Sequence, residues 1–390
     1  SLNAGNTWKK WAQGFPTVPV KDLVIHPREN DLIIGTFGRA AWVLDDIGPL
    51  RAIAKNRDIL NKTLQLFEPP TAYLASYQQP TGSRFGADAL YNGENRKSGA
   101  LLSYYVKIDE KLKPKEKDED EDEDDKDEDE VSIQDKSVIK WDSITLQVYD
   151  ADRLIRTLKQ KAPDSTGIYK WSWQMDEAGI DNPSRTIETQ KTEPRGVKVK
   201  PGSYKAIMSF GDQKSEQMVR VKNDPRLNKN EANVVEVYNT LKKLESMEQT
   251  MVDAVNQLVQ SKGIAEKFKK DLKLLDKEGY KEELKASTDI MKQIDDLLDM
   301  YLGKEDKRQG LIRNKDFYVG QRLNLASSYV KSRQTGITLT ETTLINNAKS
   351  SLEDALIKTN SFFNEQWKPY QEIMEKLKTS PFKEIKQFNL

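Results

Sequence analysis

Residues 1–8 read Ser1-Leu2-Asn3-Ala4-Gly5-Asn6-Thr7-Trp8, and residues 35–47 read Gly35-Thr36-Phe37-Gly38-Arg39-Ala40-Ala41-Trp42-Val43-Leu44-Asp45-Asp46-Ile47. In the first string a short polar side chain at the third position can accept hydrogen bonds from the turn's own amides. A glycine two residues later accepts the positive φ that such a turn requires. Around the second, VKDLVIHP (20–27), DLIIGTFG (31–38) and RAAWVLDDI (39–47) are short apolar runs divided by Pro, Asn-Asp and Gly. That punctuation reads as strands in hairpins. Two or three strands are marginal in water, so residues 1–66 are expected to complete a larger sheet.

The spacing of Ser1, Asn3, Gly5, Thr7 and Trp8 matches S-x-D-x-G-x-T-W, the Asp box, with Asn3 where Asp is usual. With Val24-Ile25-His26-Pro27 and the 35–47 string, residues 1–51 resemble the closing stretch of BNR/Asp-box β-propellers. These occur in sortilin-like and glycosyl-hydrolase-like exported proteins, especially of the Bacteroidetes; Phe37 stands where that family often has His. The resemblance implies that residues 1–66 are the last strands of an incomplete propeller and that Trp8 packs back between sheets. It makes Ser1, Asn3, Gly5, Trp8, Gly35, Gly38, Arg39, Trp42, Asp45 and Asp46 structural motif residues. It also implies a leader and further blades upstream of residue 1, and a secreted, periplasmic or outer-membrane-associated location.

Residues 67–99, rich in Pro, Gly and Tyr without a period, read as an ordered loop or linker. From Ala100 strands return as ALLSYYVKI, WDSITLQVYD, RLIRTL, GIYKWSWQM, GSYKAIMSF and KSEQMVRVK, enough for an antiparallel sandwich over 100–226. Between the first two lies KPKEKDEDEDEDDKDEDE (113–130), a charge block that cannot bury apolar area and is expected to be a disordered, solvated insertion. Carboxylates suit Ca²⁺, but the block has neither the Gly turn nor the ligand spacing of a Ca²⁺ loop, so no cofactor is expected and Ca²⁺ is the minor alternative. Tyr91-Asn92-Gly93-Glu94-Asn95, Val148-Tyr149-Asp150, Pro201-Gly202-Ser203-Tyr204 and Asp224-Pro225-Arg226 resemble landmarks of the Ig-like or fibronectin III-like domain of the same family. Asp152-Arg153 and Gln174 depart from its usual Gly and Asp.

Beyond residue 226 the period changes to that of helices. Val237, Leu241, Leu244, Met251, Val255 and Leu258 alternate three- and four-residue steps, with Glu248 at the one missed place. Ile290, Ile294, Leu297 and Tyr301 form a second stripe, Val319, Leu323, Ala326 and Val330 a third. Ile345, Ala348, Leu352, Ala355, Phe362, Tyr370, Ile373 and Leu377 form a fourth. Gly263, Gly303 and Gly336 stand where helix ends are expected. Residues 227–390 therefore read as an antiparallel helical bundle, with Phe362, Phe363 and Trp367 as its core. The fold class is a multidomain β + α chain.

Several chemistries are excluded or disfavoured. Lys plus Arg and Asp plus Glu both number 62 among 390 residues, so no net positive charge draws the chain to nucleic acid. There is no Cys, so no thiol nucleophile is available, and with His26 the one His and no G-x-S-x-G elbow a Ser triad is not expected within the chain. Phosphate-loop and zinc spacings are missing, and no apolar run approaches a membrane span. Asp45 and Asp46 are adjacent on a strand and point to opposite faces, which is not the facing pair that glycoside cleavage needs. They read instead as ending a strand by bonding turn amides, or Arg39 or Arg51. Tyr169, Trp171 and Trp173 share one face of a strand; core is the first reading, and a glycan or partner contact at Trp171 and Trp173 the functional one. The chain thus reads as a non-catalytic region that presents surfaces to a protein partner or glycan in the cell envelope. The alternative is an accessory region of a propeller glycoside hydrolase whose acids lie upstream.

Overall fold

The computed structural model describes residues 1–11, 14–75, 96–108, 141–186, 192–227, 229–305, 317–333 and 335–377. The acidic block 113–130 and the Tyr91–Asn95 landmark lie outside the described residues. Both strands and helices are present, and the chain divides into two units: residues 1–178 with 198–228, and residues 179–197 with 229–390.

The first unit opens with β1 (Val20–Ile25), β2 (Leu32–Thr36) and β3 (Ala41–Leu44), an antiparallel meander in that order. Next come α1 (Gly48–Lys55), a 3₁₀ turn (Arg57–Asn61), β4 (Leu64–Leu66) and β5 (Ala72–Leu74). No helix was expected before residue 66, yet Pro49 in the first turn has the fixed φ of a helix start and Ile53 is buried. The chain's remaining strands are β6 (Ala100–Val106), β7 (Ser143–Asp150), β8 (Arg153–Lys161), β9 (Gly167–Trp173), β10 (Asp176–Ala178), β11 (Arg195–Lys198), whose first three residues belong to the second unit, β12 (Gly202–Phe210) and β13 (Gln213–Asn223). One sheet has the order β5-β13-β12-β7-β8, the other β4-β6-β9. All pairings within them are antiparallel except β13 with β5. Residues 64–74, expected partly in the propeller segment and partly in a linker, thus supply a strand to each sheet.

Alternation sets the core. Ile144, Leu146 and Val148 of β7, and Tyr204, Ala206, Met208 and Phe210 of β12, share one cluster with Leu102 and Tyr104 of β6 and Trp173 of β9. All seven residues of β6 are buried, so this strand is covered on both faces. On the outer face Tyr105 joins Ile53, Ile59 and Phe67 and donates its hydroxyl to Leu60 O at 3.0 Å, while Ser103 reaches Asp46.

In the second unit α2 (Glu231–Leu275), α3 (Lys281–Leu302), α4 (Val319–Ser332), α5 (Leu339–Phe362), a π-helical turn (Phe363–Trp367) and α6 (Lys368–Glu375) enclose one apolar core. The four stripes supply it, from Leu244, Val255 and Leu258 to Ile294, Tyr301, Leu323, Val330, Ala348 and Leu352. Tyr301 bonds Thr359 at 2.8 Å and Ser287 bonds Tyr370 at 3.0 Å, a pairing that runs α3 antiparallel to the α5–α6 rod. The π turn lies where Pro369 would break a regular helix, since Pro has no N–H and its ring collides with the carbonyl four residues back. Phe362, Phe363 and Trp367 pack against the core, their successive ring centroids 5.3 and 6.4 Å apart. Residues 179–197, expected in the sandwich, belong to this unit. Arg185 there donates to Asp299 Oδ1 at 2.6 Å and to Gly303 O at 2.8 Å, a cation placed at the negative end of α3.

Helix ends follow their chemistry in part. Gly303 caps α3 at φ +78, and Asn230 Oδ1 accepts the Ala232 amide at the start of α2. Thr338 and Glu341 form a capping box at α5, and the hydrogen bonds from the Thr338 hydroxyl and amide hold the Glu341 carboxyl below the usual carboxylate range. Gly336 lies between α4 and α5 and caps neither. Gly263 is not an end either: α2 continues through it because Ala265 and Leu272 carry the buried stripe onward. A Cβ at Gly263 would meet nothing within 4 Å. Gly263→Ala is therefore expected to stabilise this unit by about 0.5–1 kcal/mol in denaturant melts; a destabilised variant would mean the glycine is needed for contact there.

Glu248, the gap in the first stripe, sits half-buried on α2, and burial pushes its carboxyl pKa up, against the pull of Lys331 and with help from Glu245. A carboxyl raised by folding carries no penalty below its unfolded value and a growing one as pH rises through the folded value. Glu248→Leu is expected to raise stability at pH 7 by about 1 kcal/mol through added apolar burial and loss of that penalty. The gain should shrink at pH 4, as paired thermal melts at the two values would show.

Candidate functional site

The N-terminal turn has the bonding its sequence requires. Asn3 Oδ1 accepts the Thr7 amide at 2.9 Å, Ser1 Oγ accepts the Gly5 amide at 2.8 Å, and Gly5 adopts φ +87. Asn3 also donates from Nδ2 to Thr7 Oγ1 at 2.9 Å, a bond that a carboxylate could not donate. Trp8 departs from expectation. It is 81% exposed, because no second sheet among the described residues covers it.

The meander behind this turn is wet on a scale unusual for apolar strands. Every residue of β1 is exposed, with Leu23 at 58%, and Phe37 after β2 reaches 69%. Gly38 at φ +76 turns the β2–β3 hairpin, Gly35 lies opposite Asp22, and Trp42 donates Nε1 to Arg39 O at 2.9 Å and stacks edge-on against Phe15. Arg39 itself is exposed.

Asp45 and Asp46 part company, but not by the strand alternation expected of them: β3 ends at Leu44, and both lie beyond it. Asp46 is buried at φ +50; its carboxylate accepts the Gly48 amide at 3.0 Å and the Ser103 hydroxyl at 3.0 Å, and its own amide donates to Asp31 Oδ1. Asp45 offers its carbonyl to Lys170 Nζ. The expected arginine partners are engaged elsewhere or exposed: Arg51 bonds Asn30 Oδ1 at 2.9 Å. This is a structural knot. His26 accepts the Glu29 amide at Nδ1, 3.2 Å, which ties the ring into the β1–β2 turn.

Tyr169, Trp171 and Trp173 point to one face, and their fates differ with position. Trp173 is 0% exposed, donates Nε1 to Asp176 O at 3.0 Å and packs edge-on to Tyr204 at 5.6 Å. It is core, and no ligand can reach it. Trp171 is half-buried on β9, an edge strand, where a cleft of about 370 Å³ opens beside it. Beneath, Gln160 Nε2 donates to the Tyr104 hydroxyl at 3.0 Å, and burial pushes that hydroxyl's pKa up to about 12, the Gln160 bond opposing. The sequence showed which residues share a face but not how the cover over that face changes along β9.

Among the described residues no group of three or more His, Asp or Glu could hold a metal ion, and no helix is long and apolar enough to cross a membrane. Comparison of the chain with protein-family models, curated proteins and solved structures finds no match.

Proposed function

We propose that this chain is the non-catalytic C-terminal region of an exported β-propeller protein, with an Ig- or fibronectin III-like sandwich and a helical bundle that present binding surfaces to a protein partner or glycan in the cell envelope. The observation that supports this best is the wet meander, entered by a bonded Asp-box turn, whose apolar side chains on β1 have the character of a sheet interior but face water. In the propeller reading those side chains are covered by neighbouring blades of the same polypeptide. The knot at Asp46 fits a structural end to the last blade rather than a catalytic acid.

The chain has no Cys, so Leu23→Cys would carry a unique thiol. The expected result is rapid maleimide labelling in the isolated 390-residue chain and at least tenfold slower labelling in the native protein of the source cell's envelope fraction. Equal labelling in both would overturn the propeller reading.

A further inference from the structure

Of the sheets in the first unit, the two that share a core each end on one flank in an edge strand, β8 in the larger and β9 in the smaller. The Trp171 cleft lies at this flank, lined from β8 by Gln160 and from β9 by Lys170, Trp171 and Ser172. Its rim is knitted together. Ser98 Oγ donates to Gln174 Oε1 at 3.0 Å, Gln174 Nε2 donates to Ser98 O at 2.7 Å, and Ser172 Oγ donates to the same carbonyl. Such a rim is preorganised, so a ligand need not order it.

The chemistry of the lining is selective. Lys97 and Lys170 bring two positive charges, and no carboxylate lines the cleft. Lys170 Nζ is bonded to the Asp45 carbonyl on the face of β9 opposite Trp171, so exposed Lys97 is the ammonium open to a ligand on the indole. The other polar groups are amides and hydroxyls, and the one aromatic wall is Trp171, whose ring packs against the core on its far side. An indole face with amide and hydroxyl neighbours suits the C–H face and hydroxyls of a sugar ring, and the Lys97 ammonium suits a carboxylate on that ring. The cleft volume is at the low end of the ~300–1,000 Å³ range for small-ligand pockets, enough for a sugar ring with its substituents.

We propose that this cleft is a subsite for an acidic saccharide, a glycan whose rings carry a uronate-type carboxylate. The inference deepens the glycan arm of the proposed function and does not depend on the propeller. Titration calorimetry of the 390-residue chain with tetragalacturonate, with neutral galactotetraose and with sulfate tests it. The expected result is binding of tetragalacturonate at least tenfold tighter than of either control, weakened at least fivefold by Lys97→Glu and at least tenfold by Trp171→Ala. Trp171 partly supports the core, so circular dichroism must show that variant folded; Lys97 is exposed, and its variant carries the test if Trp171→Ala does not fold. Equal affinity for the neutral sugar or for sulfate, no binding of tetragalacturonate at millimolar concentration, or binding unchanged in Lys97→Glu would each overturn the proposal. Such a failure leaves the Leu23→Cys protection untouched, and loss of that protection with cleft binding intact would fell the propeller reading alone.

Discussion

Trp173→Ala is expected to destabilise the first unit by about 3–5 kcal/mol, the cost of emptying a large aromatic site in a packed core. The side chain is fully buried, its ring lies edge-on to Tyr204, and its indole N–H meets the Asp176 carbonyl. Both sheets lean on it, through Ala100 across the β6–β9 pairing and through Tyr204 of β12. Trp173→Phe keeps a ring but leaves the Asp176 carbonyl without that donor, so about 1–3 kcal/mol is expected. Chemical denaturation followed by circular dichroism separates the two. A loss below about 1 kcal/mol for the alanine variant would contradict the core assignment and return Trp173 to the list of possible ligand contacts.

Gly99→Ala should cost nearly as much, for a different reason. Gly99 has φ +102, and a Cβ there would lie 2.3 Å from the Trp173 carbonyl oxygen and 2.8 Å from Ser172 Oγ. The nearest atom is backbone inside a sheet, so it cannot swing aside as a side chain can. About 2–4 kcal/mol is expected from the clash together with the left-handed strain. Gly38→Ala is the control. Its φ is +76 but nothing lies within 4 Å of the added Cβ, so only the conformational part, about 1–2 kcal/mol, should appear. Equal losses in the two variants would show that the approach of Gly99 to β9 is looser than described.

Much of this fold was legible because its periods are clean. β7, β12 and β13 alternate, and β12 reads buried at Tyr204, Ala206, Met208 and Phe210. The stripes of α2 to α5 hold a 3.6-residue period over many turns, and Glu248, the one break, proves to be a half-buried carboxyl rather than a helix end. Short or non-local elements were not legible. β4 and β5 have three residues each, too few for a period, and β5 earns its place by parallel pairing with β13, about 150 residues away. Gly263 has the look of a terminator, but the residues after it bury themselves and carry the helix on. At the candidate site, alternation gave the shared face of Tyr169, Trp171 and Trp173, while the split into core and cleft depends on what packs over each position along β9. The Asn3 turn was legible because its bonds close within eight residues; the exposure of Trp8 was not, because it depends on what stands beyond them.

The double cover over β6 decides how the molecule can be taken apart. A cut at residue 66 or 99, where composition alone would divide the chain, removes α1 and the 3₁₀ turn and strips Ile53 and Ile59 from Tyr105. It also orphans Ser103, whose hydroxyl then faces no carboxylate. A fragment starting at residue 100 would present its central strand to solvent and self-associate, whereas one that retains residues 46–74 would keep that wall intact. The segment resembling a propeller and the sheets that follow it are therefore not severable at the seam that the amino-acid composition suggests.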